Sequence, residues 1–147
     1  MKITYAIPLL LLGIVLLGSC SQDKDPEKKY ADRLVTENHS VMSPSQEYSL
    51  EIAMTKEDNV RGFHFVVRNA MDNEEIYKCE DFYRLRDVSF LFWGNDDTIW
   101  LYNGDVGTFY WEKSSESEEW IKKVYAENKD TVTVPEMLKE LRPKYFN

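Results

Sequence analysis

At 147 residues the chain has room for one domain of ordinary size, and 43% hydrophobic with 14% aromatic residues is enough material for a packed core, which excludes a disordered chain. A formal net charge of −8 excludes a sequence-independent phosphate-backbone binder, because neutralising a polyanion needs a clustered basic face. The only close basic groups are Lys28 with Lys29, Arg84 with Arg86 and Lys122 with Lys123, all set among acids, so no nucleic-acid partner is expected and a cationic partner is electrostatically easier.

The chain opens on one cationic residue, Lys2, followed by an apolar run over residues 6–17 and the small residues Gly18 and Ser19. Such a run is too short to cross a bilayer comfortably and suits the apolar region of a signal peptide, residues 1–19. Leu17-Gly18-Ser19-Cys20 resembles the lipobox of bacterial lipoproteins, with an aliphatic residue three before the cysteine and small residues between. The resemblance implies cleavage before Cys20, a diacylglycerol on the Cys20 sulphur and usually an acyl chain such as palmitate on the freed amine. It implies membrane attachment through lipid in a bacterial cell envelope. The other reading of these residues is a secreted protein cut near Ser19, with Cys20 a free or paired thiol. Two or more acyl chains anchor firmly where one is marginal, and an acidic body is repelled by anionic headgroups, so lipid has to supply the attachment. Ser21 rather than aspartate follows the cysteine, which by resemblance points to the outer membrane. Gln22-Asp23-Lys24-Asp25 is similar to the acidic export signals of surface lipoproteins in the Bacteroides group but is broken by Gln22 and Lys24, leaving both the periplasmic side and the cell surface open.

Residues 20–47 are polar and charged, contain Pro26 and Pro44, and show a weak helical hint over 30–35; they read as a lipidated N-terminus and flexible tether. A tether of that length reaches roughly 90 Å fully extended and about 30 Å as a coil.

Residues 48–147 read as a single globular α+β domain. YSLEIAMT alternates, with Tyr48, Leu50, Ile52 and Met54 on one side. After a turn at KEDN, GFHFVVRN places Phe63, Phe65 and Val67 opposite His64, Val66 and Arg68, and EIYKC is a short strand. VSFLFW, TIWLYN and VGTFYWEK continue as a meander through the turns GNDD and NGD. The expectation is an antiparallel meander sheet of about six strands followed by two C-terminal helices packed on one face. In SSESEEWIKKVYAEN, Ser115 stands as N-cap with Glu118 three residues on, and Trp120, Ile121, Val124 and Tyr125 form the apolar stripe. In TVPEMLKELRP, Thr133 caps, Glu136 returns the bond, Val134, Leu138 and Leu141 line one side, and Pro143 ends the helix.

The segment from Trp93 to Trp111 is dense in aromatics and apolar on both strand faces. Val88, Phe90 and Phe92 oppose Leu91 and Trp93; Ile99 and Leu101 oppose Trp100 and Tyr102; Phe109 and Trp111 oppose Tyr110. A strand buried on one side shows a polar second face, so the other side needs a cover, and the C-terminal helices carry a matching stripe. Most of the ribbon is therefore assigned to the core. If any of it is exposed, Trp100 and Tyr102 are the candidate ligand or partner contacts, for a protein surface or a glycan.

Chemistry-bearing residues are sparse. Cys79 alternates with Tyr77 and reads as a small core residue, with no second thiol once Cys20 is consumed. Asn95, Asp96, Asp97 and Asp105 could suggest calcium or a glycosidase pair, but lack the EF-hand order and are explained by turn chemistry. The two histidines, His39 and His64, fall in the tether and on a strand, where His64 reads as an edge or surface residue. No phosphate-loop, dinucleotide, nucleophile-elbow or zinc-protease motif occurs. The expectation is no catalytic residue, metal or cofactor: an envelope lipoprotein domain that acts by protein contact or protection of the immunity type. A glycan-binding module and an envelope hydrolase are the weaker readings.

Overall fold

The computed structural model describes residues 25–146. Residues 1–19, read from sequence as a signal peptide, and Cys20 lie outside the described residues. The chain begins with α1 (Pro26–Lys29), capped by the Asp25 carboxylate accepting from the Glu27 amide at 3.1 Å. It then forms β1 (Val41–Met42), β2 (Tyr48–Glu57), β3 (Val60–Asn69), β4 (Glu75–Lys78), β5 (Tyr83–Arg84), β6 (Ser89–Trp93), β7 (Ile99–Asn103), β8 (Gly107–Lys113) and β9 (Trp120–Val124). Three short helices follow, α2 (Tyr125–Asn128), α3 (Glu136–Leu141) and α4 (Pro143–Phe146).

The expected α+β meander is present, with nine strands among the described residues divided between two antiparallel sheets. β2 and β3 pair along their whole length around Asp58 and Asn59, both left-handed at φ 47° and 66°, the conformation that a two-residue hairpin turn demands and that Asp and Asn tolerate. β1 joins the outer side of β2, while β4 and β5 share the other side of β3. The second sheet runs β6-β7-β8-β9 in chain order. Its β7–β8 turn is held by buried Asn103, whose Oδ1 accepts from the amides of Asp105 and Val106 at 2.9 Å.

The alternation read from the sequence becomes three layers. Leu50, Phe63, Phe65, Val67 and Cys79 of the first sheet meet Leu91, Trp93, Ile99, Leu101, Phe109 and Trp111 of the second. Phe65 stands edge-on to Trp111 with ring centroids 4.8 Å apart. The far face of the second sheet, Phe90, Phe92, Trp100, Tyr102 and Tyr110, is covered by Tyr30, Leu34, Val134, Met137, Leu138 and Leu141. Each of these large side chains contributes about 1.5–3 kcal/mol by leaving water.

Two expectations are corrected. The helix expected over SSESEEWIKKVYAEN is a tight turn, a strand and only at its end one helical turn, α2. Ser114, not Ser115, organises the turn, its Oγ accepting from the Glu116 and Ser117 amides at 3.2 and 3.3 Å, and β9 then pairs with β8. Trp120 enters the inter-sheet core and Val124 packs against it, while Ile121 between them is exposed, so sheet pairing overrides a stripe that also satisfies helical spacing. The second helix is real but shorter, with Pro135 rather than Thr133 at its N-cap and no side-chain cap.

The tether is also shorter than residues 20–47. Tyr30, Leu34 and Val35 are buried, the Val35 amide donates to the Leu91 carbonyl at 2.8 Å, and Lys29 pairs with Glu140 of α3 at 2.5 Å. Ser43 is fully buried, its Oγ accepting from the Tyr48 amide at 3.1 Å. The Val35 amide covers part of the edge of β6, and the Tyr30 and Leu34 side chains cover part of the aromatic face, so these residues pack against the strands instead of standing free.

Candidate functional site

At one open edge of the sandwich, the first residue of β2 faces the first residue of β9. The Tyr48 ring meets Trp120 edge-on at 5.8 Å, and Trp120 lies 5.5 Å from Trp93. Lys113, the last residue of β8, reaches across from the second sheet to the first. Its Nζ donates to the Tyr48 hydroxyl at 2.8 Å and lies 5.0 Å from the centre of the ring. That bond, with the nearby charges of Glu118 and Glu47, holds the ammonium above the ordinary lysine range.

The Lys113–Tyr48 bridge divides the edge into two grooves. One, of about 920 Å³, lies between β4 and the 114–119 turn and is lined by Ile76, Tyr77, Glu74, Glu75, Glu118 and Glu119. The other, of about 460 Å³, is lined by Glu47, Asp96, Asp97, Thr98 and Glu112. Trp120 lines both. Glu75 pairs with Arg68 at 3.7 Å and Glu112 with Lys123, whereas Glu47, Glu74, Asp96, Asp97, Glu118 and Glu119 have no ion-pair partner among the described residues. Trp120 is 5% exposed, and its Nε1 is a buried donor with no hydrogen-bond acceptor among the described residues.

Comparison with protein-family models, curated proteins and solved structures finds no match to this chain. The site rests on its own geometry.

The residues singled out by sequence lie elsewhere. Trp100 and Tyr102 do not form a surface platform: they are 2% and 7% exposed, Trp100 stacked on Tyr110 at 5.1 Å and Tyr102 on Phe90 at 5.9 Å. The Arg142 guanidinium covers the Phe90 and Tyr102 rings at 5.2 and 5.1 Å, completing the burial. Cys79 is buried as expected, and burial pushes its thiol up to about 12. His64 sits on the outer face of the first sheet but in the central strand β3 rather than at an edge, with Nδ1 2.9 Å from the Asp81 carbonyl and Nε2 3.2 Å from Glu57. His39 lies apart, with Nε2 3.2 Å from the Asp32 carbonyl.

The turn acids divide between the two ends of β7. Asp96 accepts from the Thr98 amide at 3.3 Å and Asp97 from the Ser45 amide at 3.0 Å, while Asp105 pairs with Arg84. No group of three metal-ligating side chains gathers among the described residues. Tyr48, Lys113 and Trp120 were not singled out as a site from sequence, because their meeting depends on how one sheet stacks on the other. The period-two order of Trp120, Lys122 and Val124 is the signal that places Trp120 on a strand facing Tyr48.

Proposed function

We propose that this protein is a lipid-anchored component of a bacterial envelope, most simply of the outer membrane, whose domain works through contact with another protein rather than by catalysis. Protection by an inhibitor of the immunity type is the form of contact that fits its size and acidity. The anchor reading is supported by the Leu17-Gly18-Ser19-Cys20 signal and the contact reading by the acid-lined, aromatic-floored grooves on either side of Lys113. The grooves are the observation that carries the proposal, because unpaired carboxylates around buried aromatics resemble the rim and core of an interface more than a pocket for a small substrate. The burial of Trp100 and Tyr102 weighs against the glycan reading.

The anchor is tested by labelling cells with an alkyne fatty acid: the label is expected on the protein and absent from Cys20→Ala. The contact is tested by placing a photo-crosslinking amino acid at Glu118 on the groove or at Arg86, an exposed control position. A discrete protein adduct from Glu118 but not Arg86 is expected, and equal adducts or none from either would overturn the contact reading.

A further inference from the structure

We infer that the Tyr48–Trp120 edge is a binding site for a lysine- or arginine-rich segment of another protein, and that Lys113 occupies it from within as a stand-in for the incoming side chain. This rests on the contact reading above and specifies its chemistry.

Two observations converge. First, the site already holds a cation: the Lys113 ammonium donates to the Tyr48 hydroxyl at 2.8 Å, a bond that a partner's basic side chain could make in its place. Second, the charge around that cation is far from balanced. Glu47 and Asp97 on one side and Glu74, Glu118 and Glu119 on the other are without ion-pair partners among the described residues, in a chain of net charge −8. One lysine does not neutralise them, and an approaching polycation is steered toward them.

The internal occupant is easily displaced. Lys113 is an exposed residue on a flexible four-carbon stem, and an exposed cation held by one hydroxyl is weakly fixed. A partner that brings several basic residues replaces Lys113 at Tyr48 and adds contacts to the acids along both grooves. Lys113 is thus a competitor for its own site, and removing it should strengthen binding even though the removal makes the groove more negative by only one charge.

The experiment is calorimetric titration of the full chain in neutral detergent with a lysine-rich peptide, an acidic peptide of equal length and a neutral chito-oligosaccharide. The lysine-rich peptide alone is expected to bind, about tenfold more weakly at 0.5 M salt than at low salt. Lys113→Met is expected to tighten it about threefold or more. Tyr48→Phe, which keeps the ring but removes the bond that holds Lys113, shifts affinity in the same direction. The double variant Glu118→Gln with Glu119→Gln is expected to weaken binding about threefold or more. Folded Lys113→Met and Tyr48→Phe proteins that bind no more tightly than wild type overturn the inference, as does equal binding of the acidic peptide or the oligosaccharide. A crosslink from Glu118 combined with indifference to the lysine-rich peptide overturns this inference alone and leaves the contact reading standing.

Discussion

Asp81 and Lys122 join the two sheets across an open side of the sandwich, with the ammonium of β9 2.7 Å from a carboxylate oxygen in the segment between β4 and β5. The same oxygen accepts from the Tyr83 hydroxyl at 3.3 Å and lies 3.6 Å from the Cys79 sulphur. Burial raises the pKa of Asp81, but the bonds from Lys122, Cys79 and Tyr83 outweigh it, so the carboxyl titrates below its ordinary value. A carboxylate lowered in the folded state contributes stability above the unfolded pKa, about 3.9, and loses it as pH falls through the lower folded value. Asp81→Asn is therefore expected to melt about 2–4 °C lower at pH 7, corresponding to about 0.5–1 kcal/mol for a half-exposed pair. The gap should narrow at pH 3, below the unfolded value. Thermal melts at both pH values check it, and a constant gap would exclude the ion pair as its source.

Trp100→Ala and Tyr102→Ala distinguish a core from a platform. Both side chains are inside, so each truncation is expected to cost about 3–5 kcal/mol, and the pair most of a typical margin of about 5–15 kcal/mol. Chemical denaturation should show a lost or strongly shifted transition for the double variant. An unchanged midpoint would be incompatible with the packing described.

Cys79 should be chemically silent. With a thiol pushed up to about 12 by burial, the thiolate at pH 8 is on the order of one part in ten thousand, and the residue is 1% exposed. A thiol-specific dye is expected to leave the native domain unlabelled at Cys79 and to label it fully in denaturant. Rapid native labelling would show that the segment from Cys79 to Tyr83 opens readily.

Gly62 is required by close approach. A Cβ there would fall 2.3 Å from the Phe82 ring and 2.5 Å from the Tyr83 carbonyl, where β5 pairs with β3. Gly62→Ala is expected to destabilise by about 1–3 kcal/mol, since the backbone carbonyl cannot move aside as a side chain could. Urea unfolding measures it; a stabilised variant would contradict the β3–β5 contact.

Leu34→Ala tests whether residues 25–47 belong to the domain. Leu34 lies in the cluster beneath the aromatic face, and its truncation is expected to cost about 2 kcal/mol or more, whereas a residue on a free tether would cost nothing. Removal of residues 1–47 should cost more still and yield an aggregation-prone product.

Alternation made much of this architecture legible. The opposed sets Leu91 with Trp93 and Phe90 with Phe92, and Ile99 with Leu101 and Trp100 with Tyr102, separate into the two clusters expected of them, and the need for a helical cover follows from the second set. The β9 strand was hidden because Trp120, Ile121, Val124 and Tyr125 fit a helical stripe, and only pairing with β8 selects between the periods. The division into two sheets was hidden because the connection from β5 to β6 looks like any other turn, while which faces stack is a non-local choice. Tyr30, Leu34 and Val35 are too few among charged neighbours to announce burial. The Tyr48, Lys113 and Trp120 cluster joins residues far apart in the chain, so no local pattern could display it.

The cover of the aromatic face comes from both ends of the described chain, Tyr30 and Leu34 from one and Met137, Leu138 and Leu141 from the other. During synthesis the early half of that cover waits for a partner translated after all nine strands. A nascent chain lacking α3 therefore presents Phe90, Phe92, Trp100, Tyr102 and Tyr110 with only half a roof, and proteases or chaperones that sense bare aromatic surface can tell an unfinished copy from a finished one.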